Sequence, residues 1–293
     1  MRILQRYKEL GADFKPENVI IKNSLRINTL KIKEETLIQR LKEKKVLLQK
    51  IHFLKHGYYY KANFSLGSTP EYLQGFYYLQ EAASQLPVEA LNPQQGELVL
   101  DMAAAPGSKT TQIAQWMNNK GLIVALDSDN NRLTSLQNNL ERLSVTNVAI
   151  IKKDARFVED LGLKFDKILL DAPCSGNFCI EPDFFKKRAV RDFEDRAKLQ
   201  LQLLNAAYSV LKKGGVLVYS TCSLEPEENE FNVDEFLRQH SDMKLDDTGL
   251  KIGDSGITKI FEKQLNSDIN KTKRLWPHKT STQGFFIAKM VKK

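Results

Sequence analysis

"ELVLDMAAAPGSKT", Glu97 to Thr110, joins a short apolar run to a loop of small residues and then to a polar stretch able to form a helix. A strand apolar at nearly every position is buried on both faces, the mark of a parallel sheet covered by helices. Ala103, Ala104 and Ala105, then Pro106 and Gly107, let a ligand approach the backbone, and the following helix offers its N-terminal amides. A phosphate loop of the form GxxxxGK[ST] is excluded. Ser108 separates Gly107 from Lys109, and Met102 stands where the first glycine belongs. A dinucleotide GxGxxG is missing as well.

The same strand pattern recurs downstream in "GLIVALD" (121–127), "NVAII" (147–151), "DKILLD" (166–171) and "GVLVYS" (215–220). Between these runs lie amphipathic stretches. In "RLTSLQNNLERL", Leu133, Leu136, Leu140 and Leu143 recur at helical spacing. The alternation predicts an α/β fold, a Rossmann-like parallel sheet, with "GFFIAKM" (284–290) as a closing strand. The polar segment 241–275 carries no clear assignment. In such sheets the chemistry gathers beyond the carboxyl ends of the strands. Asp101, Asp127, Asp171 and Cys222 fall at predicted strand ends, and Asp154 and Cys174 a few residues further on, so all are expected on one rim. An acid closing the second strand, Asp127, can accept both hydroxyls of an adenosine ribose. With no phosphate cradle beside it, S-adenosylmethionine is the ligand that fits.

Upstream of the sheet the composition changes. Residues 1–75 carry 15 basic and 7 acidic side chains, and the remainder carries 29 of each, so the net charge of +8 belongs to the first quarter. "SLRINTL" and "VLLQKIHFL" read as extended, "KEETLIQRLKEK" as a helix and "YYYKANF" as extended again, which makes a small α+β unit. Gly67, Pro70 and Gly75 place a boundary near residue 75, giving a basic domain (1–75) and a catalytic domain (76–293). A basic unit on a neutral body points to a polyanion partner. Three cysteines without a CxxC pair and four scattered histidines give neither a disulfide framework nor a metal site, so no metal is expected. No apolar stretch approaches the roughly 20 residues that cross a bilayer, and "MRILQRYKEL" has no secretory pattern. A cytoplasmic location without membrane contact is expected.

Together these segments resemble the RNA cytosine-5 methyltransferases of the Nop/Sun family, over most of the chain. The resemblance rests on "LGSTPEYLQGFYYLQEAASQLPVEAL", "LDMAAAPGSKTTQIA", "DAPCSG", "YSTCSLEPEENE" and "RLWPHKTSTQGFFIAKM". It also rests on "RINTLK", which matches the family's N-terminal signature within a domain akin to an RNA-recognition fold. The pair of cysteine motifs is the most specific element. Two places depart from the family pattern: Ser281-Thr282-Gln283 stands where Gly-Thr-Asp is common, and "CIEPDFFKKR" replaces a basic-tryptophan segment.

The resemblance implies roles for individual residues. Ala103, Ala104, Ala105, Pro106, Gly107, Ser108 and Lys109, with Asp127, Arg132, Asp154 and Asp171, would hold S-adenosylmethionine. Cys222 would be the nucleophile and Cys174 would assist product release. Asp171 and Lys109 would contact the base, and Arg26 the RNA. The chemistry explains why such residues are needed. Carbon 5 of cytosine is a poor nucleophile until a thiolate adds at carbon 6, and the covalent detour divides one hard step into easier ones. A carboxyl at Asp171, held neutral by burial, would protonate N3, and Lys109 would steady the carbonyl oxygen. The compact form looks most like archaeal stand-alone members acting on tRNA, with a monomer expected. An rRNA cytosine-5 methyltransferase, a methyltransferase of small molecules or proteins, and a non-catalytic RNA-binding protein on the same fold are the rival readings.

Overall fold

The computed structural model describes residues 3–181 and 183–293. Its first part runs α1 (Ile3–Glu9), β1 (Ser24–Ile27), α2 (Glu34–Glu43), β2 (Leu47–Lys50), β3 (Gly57–Lys61), α3 (Pro70–Leu73) and β4 (Tyr77–Leu79). The strands form an antiparallel sheet in the order β2-β3-β1-β4. Leu37 and Leu41 of α2 pack on Leu25, Ile27, Tyr58 and Tyr77 to give this unit its own core.

The second part runs α4 (Ala82–Leu91), β5 (Leu98–Asp101), α5 (Ser108–Trp116), β6 (Leu122–Asp127), α6 (Asn130–Arg142), β7 (Val148–Lys152) and β8 (Phe165–Asp171). It continues through α7 (Phe184–Lys187), α8 (Val190–Val210), β9 (Leu211–Thr221), α9 (Glu230–Gln239) and β10 (Met243–Asp246). It ends with β11 (Asp254–Ser255), β12 (Lys259–Ile260), β13 (Lys263–Gln264), β14 (Lys273–Leu275), α10 (Pro277–Thr280) and β15 (Phe285–Lys292). Nine strands make one sheet ordered β7-β6-β5-β8-β9-β15-β14-β11, with β10 beside β15. Strands β5 to β9 are parallel, and β15 returns antiparallel to β9. The chain winds from β5 to one side, then crosses to β8 and winds to the other. That switch point between β5 and β8 is where such sheets open a crevice.

All five expected parallel strands and the closing strand are present. The unassigned 241–275 segment supplies three short strands of the antiparallel side, β10, β11 and β14, and an isolated hairpin, β12–β13. Two expectations about the boundary change. Strand β4 pairs with β1, Arg26 opposite Tyr78, so the first sheet reaches beyond residue 75 to Leu79. Helix α1 does not belong to the basic unit. Ile3, Tyr7, Leu10 and Ala12 are buried in the core of the second part, and Tyr7 Oη donates to Glu225 Oε1 at 2.7 Å.

Three polar side chains bolt the small sheet to the large body. Arg26, on β1, donates to Gln80 Oε1 at 2.9 Å, to Ser108 O at 2.8 Å and to Thr111 Oγ1 at 2.8 Å. Asn28 donates to Gly75 O and Leu143 O, and Gln115 on α5 donates back to Ile27 O. No helix among the described residues is long and apolar enough to cross a membrane.

Candidate active site

Two adjoining places lie at the carboxyl rim. The first is a cavity of about 250 Å³. Ala103 follows β5, Asp127 ends β6, Asp154 follows β7 and Arg132 reaches over from α6; all four line it. The Asp127 carboxylate accepts from Asp129 N at 3.0 Å and Ala105 N at 3.3 Å, and Arg132 lies 3.4 Å from it. Arg132 also donates to Ala105 O at 2.5 Å, so it ties the small-residue loop to the acid. Asp154 is clasped by Arg156 at 2.6–3.1 Å, and those hydrogen bonds hold its carboxyl below the ordinary value. Met102, Ala155, Pro173, Leu199 and Leu203 supply apolar wall. Acceptors at one edge, an apolar wall and no lysine–glycine phosphate cradle suit an uncharged purine nucleoside.

The rest of the expected cofactor loop is braced by its own hydrogen bonds. Ala104 N donates to Leu126 O and Gly107 N to Ala104 O, each at 2.8 Å. Pro106 O accepts from Asn139, and Ser108 O from Arg26. These bonds hold the loop in shape beside the cavity. Gly107 has a φ of 104°, and a Cβ there would lie 2.9 Å from Leu136 Cδ1. Only glycine meets both conditions comfortably.

The second place is the cysteine pair. Cys174 leaves β8, Cys222 leaves β9, and the parallel pairing of those strands brings the sulfurs to 2.9 Å. Both are free thiols and half-buried. The hydrogen bond with Cys222, together with burial, pushes the Cys174 thiol well up. Lys109, from the first turn of α5, meets Asp171 at 2.5 Å and Ser84 Oγ at 3.1 Å. Ser220 donates to the other Asp171 oxygen at 2.7 Å. The expectation of a neutral Asp171 held by burial therefore meets an ion pair instead. Asp171 stands three residues before Cys174, and its partner Ser220 two residues before Cys222, so the Lys109–Asp171 pair sits at the base of both cysteine loops.

Several residues here escaped the sequence reading. Asn177 Nδ2 donates to Cys222 O at 2.6 Å and to Gly284 O at 3.2 Å. The Glu228 carboxylate accepts from Ser175 N at 3.0 Å, Ser223 Oγ at 2.7 Å and Gln200 Nε2 at 2.7 Å, and also from Ser175 Oγ. Each serine neighbours one cysteine, so one buried carboxylate joins both loops. Asp101 accepts from Thr110 at 2.7 Å, and burial raises its pKa to about 6. Arg26, expected as an RNA contact, is 2% exposed. Its two terminal nitrogens bond Gln80, Ser108 and Thr111, so it braces the two parts of the chain against each other. No group of ligating side chains able to hold a metal occurs among the described residues.

A doubly wound sheet with a nucleoside-sized cavity at its switch point, flanked by a pair of free thiols, defines a Rossmann-like methyltransferase body. The chain matches the family described as 16S rRNA methyltransferase RsmB/F over residues 88–291, and the N-terminal domain of 16S rRNA methyltransferase RsmF over residues 7–82. It belongs to the RsmB/F family, which is the Nop/Sun group expected from the motifs. It is 43% identical over 228 residues to a tRNA (cytosine(72)-C(5))-methyltransferase of Pyrococcus horikoshii, covering 78% of this chain and 55% of the relative. It is 40% identical over 305 residues to a tRNA (cytosine(49)-C(5))-methyltransferase of Pyrococcus abyssi, covering 99% of this chain and 96% of the relative. Other curated relatives are longer, and the chain spans 34–46% of three of them. A crystal structure of a methyltransferase homolog from Pyrococcus horikoshii superposes with a TM-score of 0.86 at 42% identity, covering 99% of this chain and 90% of that one.

Proposed function

We propose that this protein is an S-adenosylmethionine-dependent RNA cytosine-5 methyltransferase that works through a covalent adduct at Cys222. The observation that carries the reading is the meeting of Cys174 and Cys222, 2.9 Å apart, beside the Lys109–Asp171 pair. S-adenosylmethionine would supply an electrophilic methyl group. Asp127 would accept from its ribose, and Ala103, Arg132 and Asp154 would border it. Cys222, as thiolate, adds to carbon 6 of the cytosine, and carbon 5 becomes nucleophilic. Lys109 offers positive charge to the carbonyl oxygen as negative charge builds on the ring. Asp171 bonds the N3 edge, and a proton it delivers there is one it must first take up from its ion pair or solvent. After transfer, the carbon-5 proton leaves to a base and Cys222 departs. Cys174 sits against the departing sulfur and is positioned to serve that elimination.

A tRNA substrate is the first reading, supported by the Pyrococcus abyssi tRNA enzyme, which this chain matches along nearly its whole length. An rRNA substrate is the second, supported by the description of the matching family. The test is a Cys174→Ala variant incubated with S-adenosylmethionine and either RNA, run on a denaturing gel. A slow-migrating adduct that disappears when Cys222→Ala is added is expected, and the RNA that forms it names the substrate. Retention of the adduct without Cys222, or no 5-methylcytidine from the wild-type protein in either RNA, would overturn the proposal.

A further inference from the structure

A second recess lies outside the cavity and the cysteine pair, in the seam between the two sheets. One part, about 440 Å³, opens between β2–β3 and the segments around Gly253 and Thr280. Lys22, Lys50 and Lys279 line it together with His52, Phe53 and Tyr59. A neighbouring part, about 430 Å³, shares His52 and Phe53 with the first and continues past Lys55, Trp116, Lys251 and Lys289. The two make one groove, with His52 and Phe53 at its waist.

Its chemistry is uneven in a useful way. Lys279 is matched by Asp254 at 2.6 Å and Lys289 by Asp246 at 2.9 Å. Lys22 has no carboxylate partner and lies 5.0 Å from the Tyr59 ring centre; Lys55 lies 4.5 Å from the Trp116 ring centre. Lys50 donates to Lys55 O and stands 3.6 Å from Glu34. Lys251 is exposed and has no carboxylate partner among the described residues. Glu89 is the remaining acid of the lining, and it is bound to Lys55 N at 3.1 Å. Unmatched ammonium groups alternate with aromatic faces. That is the composition that holds a nucleic-acid strand, through phosphates on lysine and bases on rings.

One lip of the groove is tied to the segment that braces the reaction centre. Lys22 N donates to Ser281 O at 3.4 Å. Two residues on, Gln283 N donates to Glu81 Oε1 at 3.1 Å, and Gly284 O accepts from Asn177, which holds Cys222 O.

We propose that this seam binds the RNA strand flanking the target cytosine, with Lys22, Lys55 and Lys251 on its phosphates and the rings of His52, Phe53 and Tyr59 beside its bases. The inference rests on the RNA methyltransferase reading above. Its test uses the full chain and an unmodified transcribed tRNA. A triple variant, Lys22→Ala, Lys55→Ala and Lys251→Ala, should weaken RNA binding at least tenfold. It should also flatten the dependence of log affinity on log salt by about 2, at roughly 0.7–0.9 per lost phosphate contact, and raise the KM for RNA. A control pair, Lys212→Ala and Lys213→Ala, removes charge at the opposite, amino-terminal edge of the sheet and should leave RNA affinity within twofold. Equal losses in both variants, or an unchanged salt slope in the triple variant of an enzyme that methylates RNA, would overturn the groove. Failure of the underlying reading is distinct: the unsubstituted protein would then leave no 5-methylcytidine in RNA at all.

Discussion

Glu228 makes four hydrogen bonds from a fully buried position, to partners on three separate segments of the chain. Burial raises its pKa, and the bonds from Ser175, Ser223 and Gln200 oppose that rise. Its removal would leave buried donors unpaired, at a cost of about 1–3 kcal/mol each, and would free the two cysteine loops from one another. A misplacement of about 1 Å at a reacting group can cost roughly a hundredfold in rate. We therefore expect Glu228→Ala to lower kcat for methyl transfer about a hundredfold with little change in the KM for RNA. Glu228→Gln keeps a carbonyl acceptor and should recover part of the loss. Equal damage from both variants, moving with the melting temperature, would reduce Glu228 to a fold support. The residue was not legible in the sequence for a physical reason. "EPEENE" (225–230) has the composition of a solvated acidic loop, yet Glu225, Glu228 and Glu230 are all buried. Their partners, Tyr7, Ser175, Gln200 and Arg274, come from distant segments that no local pattern reveals. The cysteines and strand-end acids were legible, because strand period and the position of a polar residue at a strand end are local properties.

At the level of elements, the parallel strands announce themselves by burial on both faces, and α6 by its leucine spacing. The β4 strand did not, because three residues are too few to show a period and its pairing with β1 is long-range. Gly75 in front of it was read as punctuation and proves to be a contact. Its φ is 73°, and a Cβ there would lie 1.9 Å from Arg142 O at the end of α6. The neighbouring oxygen belongs to backbone and cannot step aside as a side chain would. Asn28 also bonds Gly75 O, so the same point joins β1, β4 and α6. Gly75→Ala should destabilise the protein by more than the ~1 kcal/mol of an ordinary glycine replacement, measured by denaturant unfolding. It should also expose the seam between sheets to protease before the large body unfolds. A variant as stable as the wild type would show that the junction has slack.

For the molecule as a whole, the buried acids set the response to pH. Burial pushes Glu225 from the ordinary 4.5 up to about 7. Between those values the folded chain keeps a proton that the unfolded chain has lost, so this group's contribution to stability falls as pH rises. Ionising it in place costs of order 3 kcal/mol at most. Glu225→Gln cannot ionise, so its melting temperature should gain on that of the wild type between about pH 5 and about pH 8; a constant difference across that range would contradict the assignment. The charge reading also holds at this scale: the basic excess lies in the first quarter, which forms one wall of the seam between the sheets.

Helix α1 has a consequence for synthesis. Tyr7 finds its partner Glu225 only 218 residues later, and its ring meets Trp276 further still. On a ribosome making about 5–20 residues per second, that helix waits roughly 10–40 s with its apolar face unclaimed. The small sheet can close in the meantime from residues already made. The helix is thus made early and docked late, and its apolar face stays open to other contacts for the length of that wait.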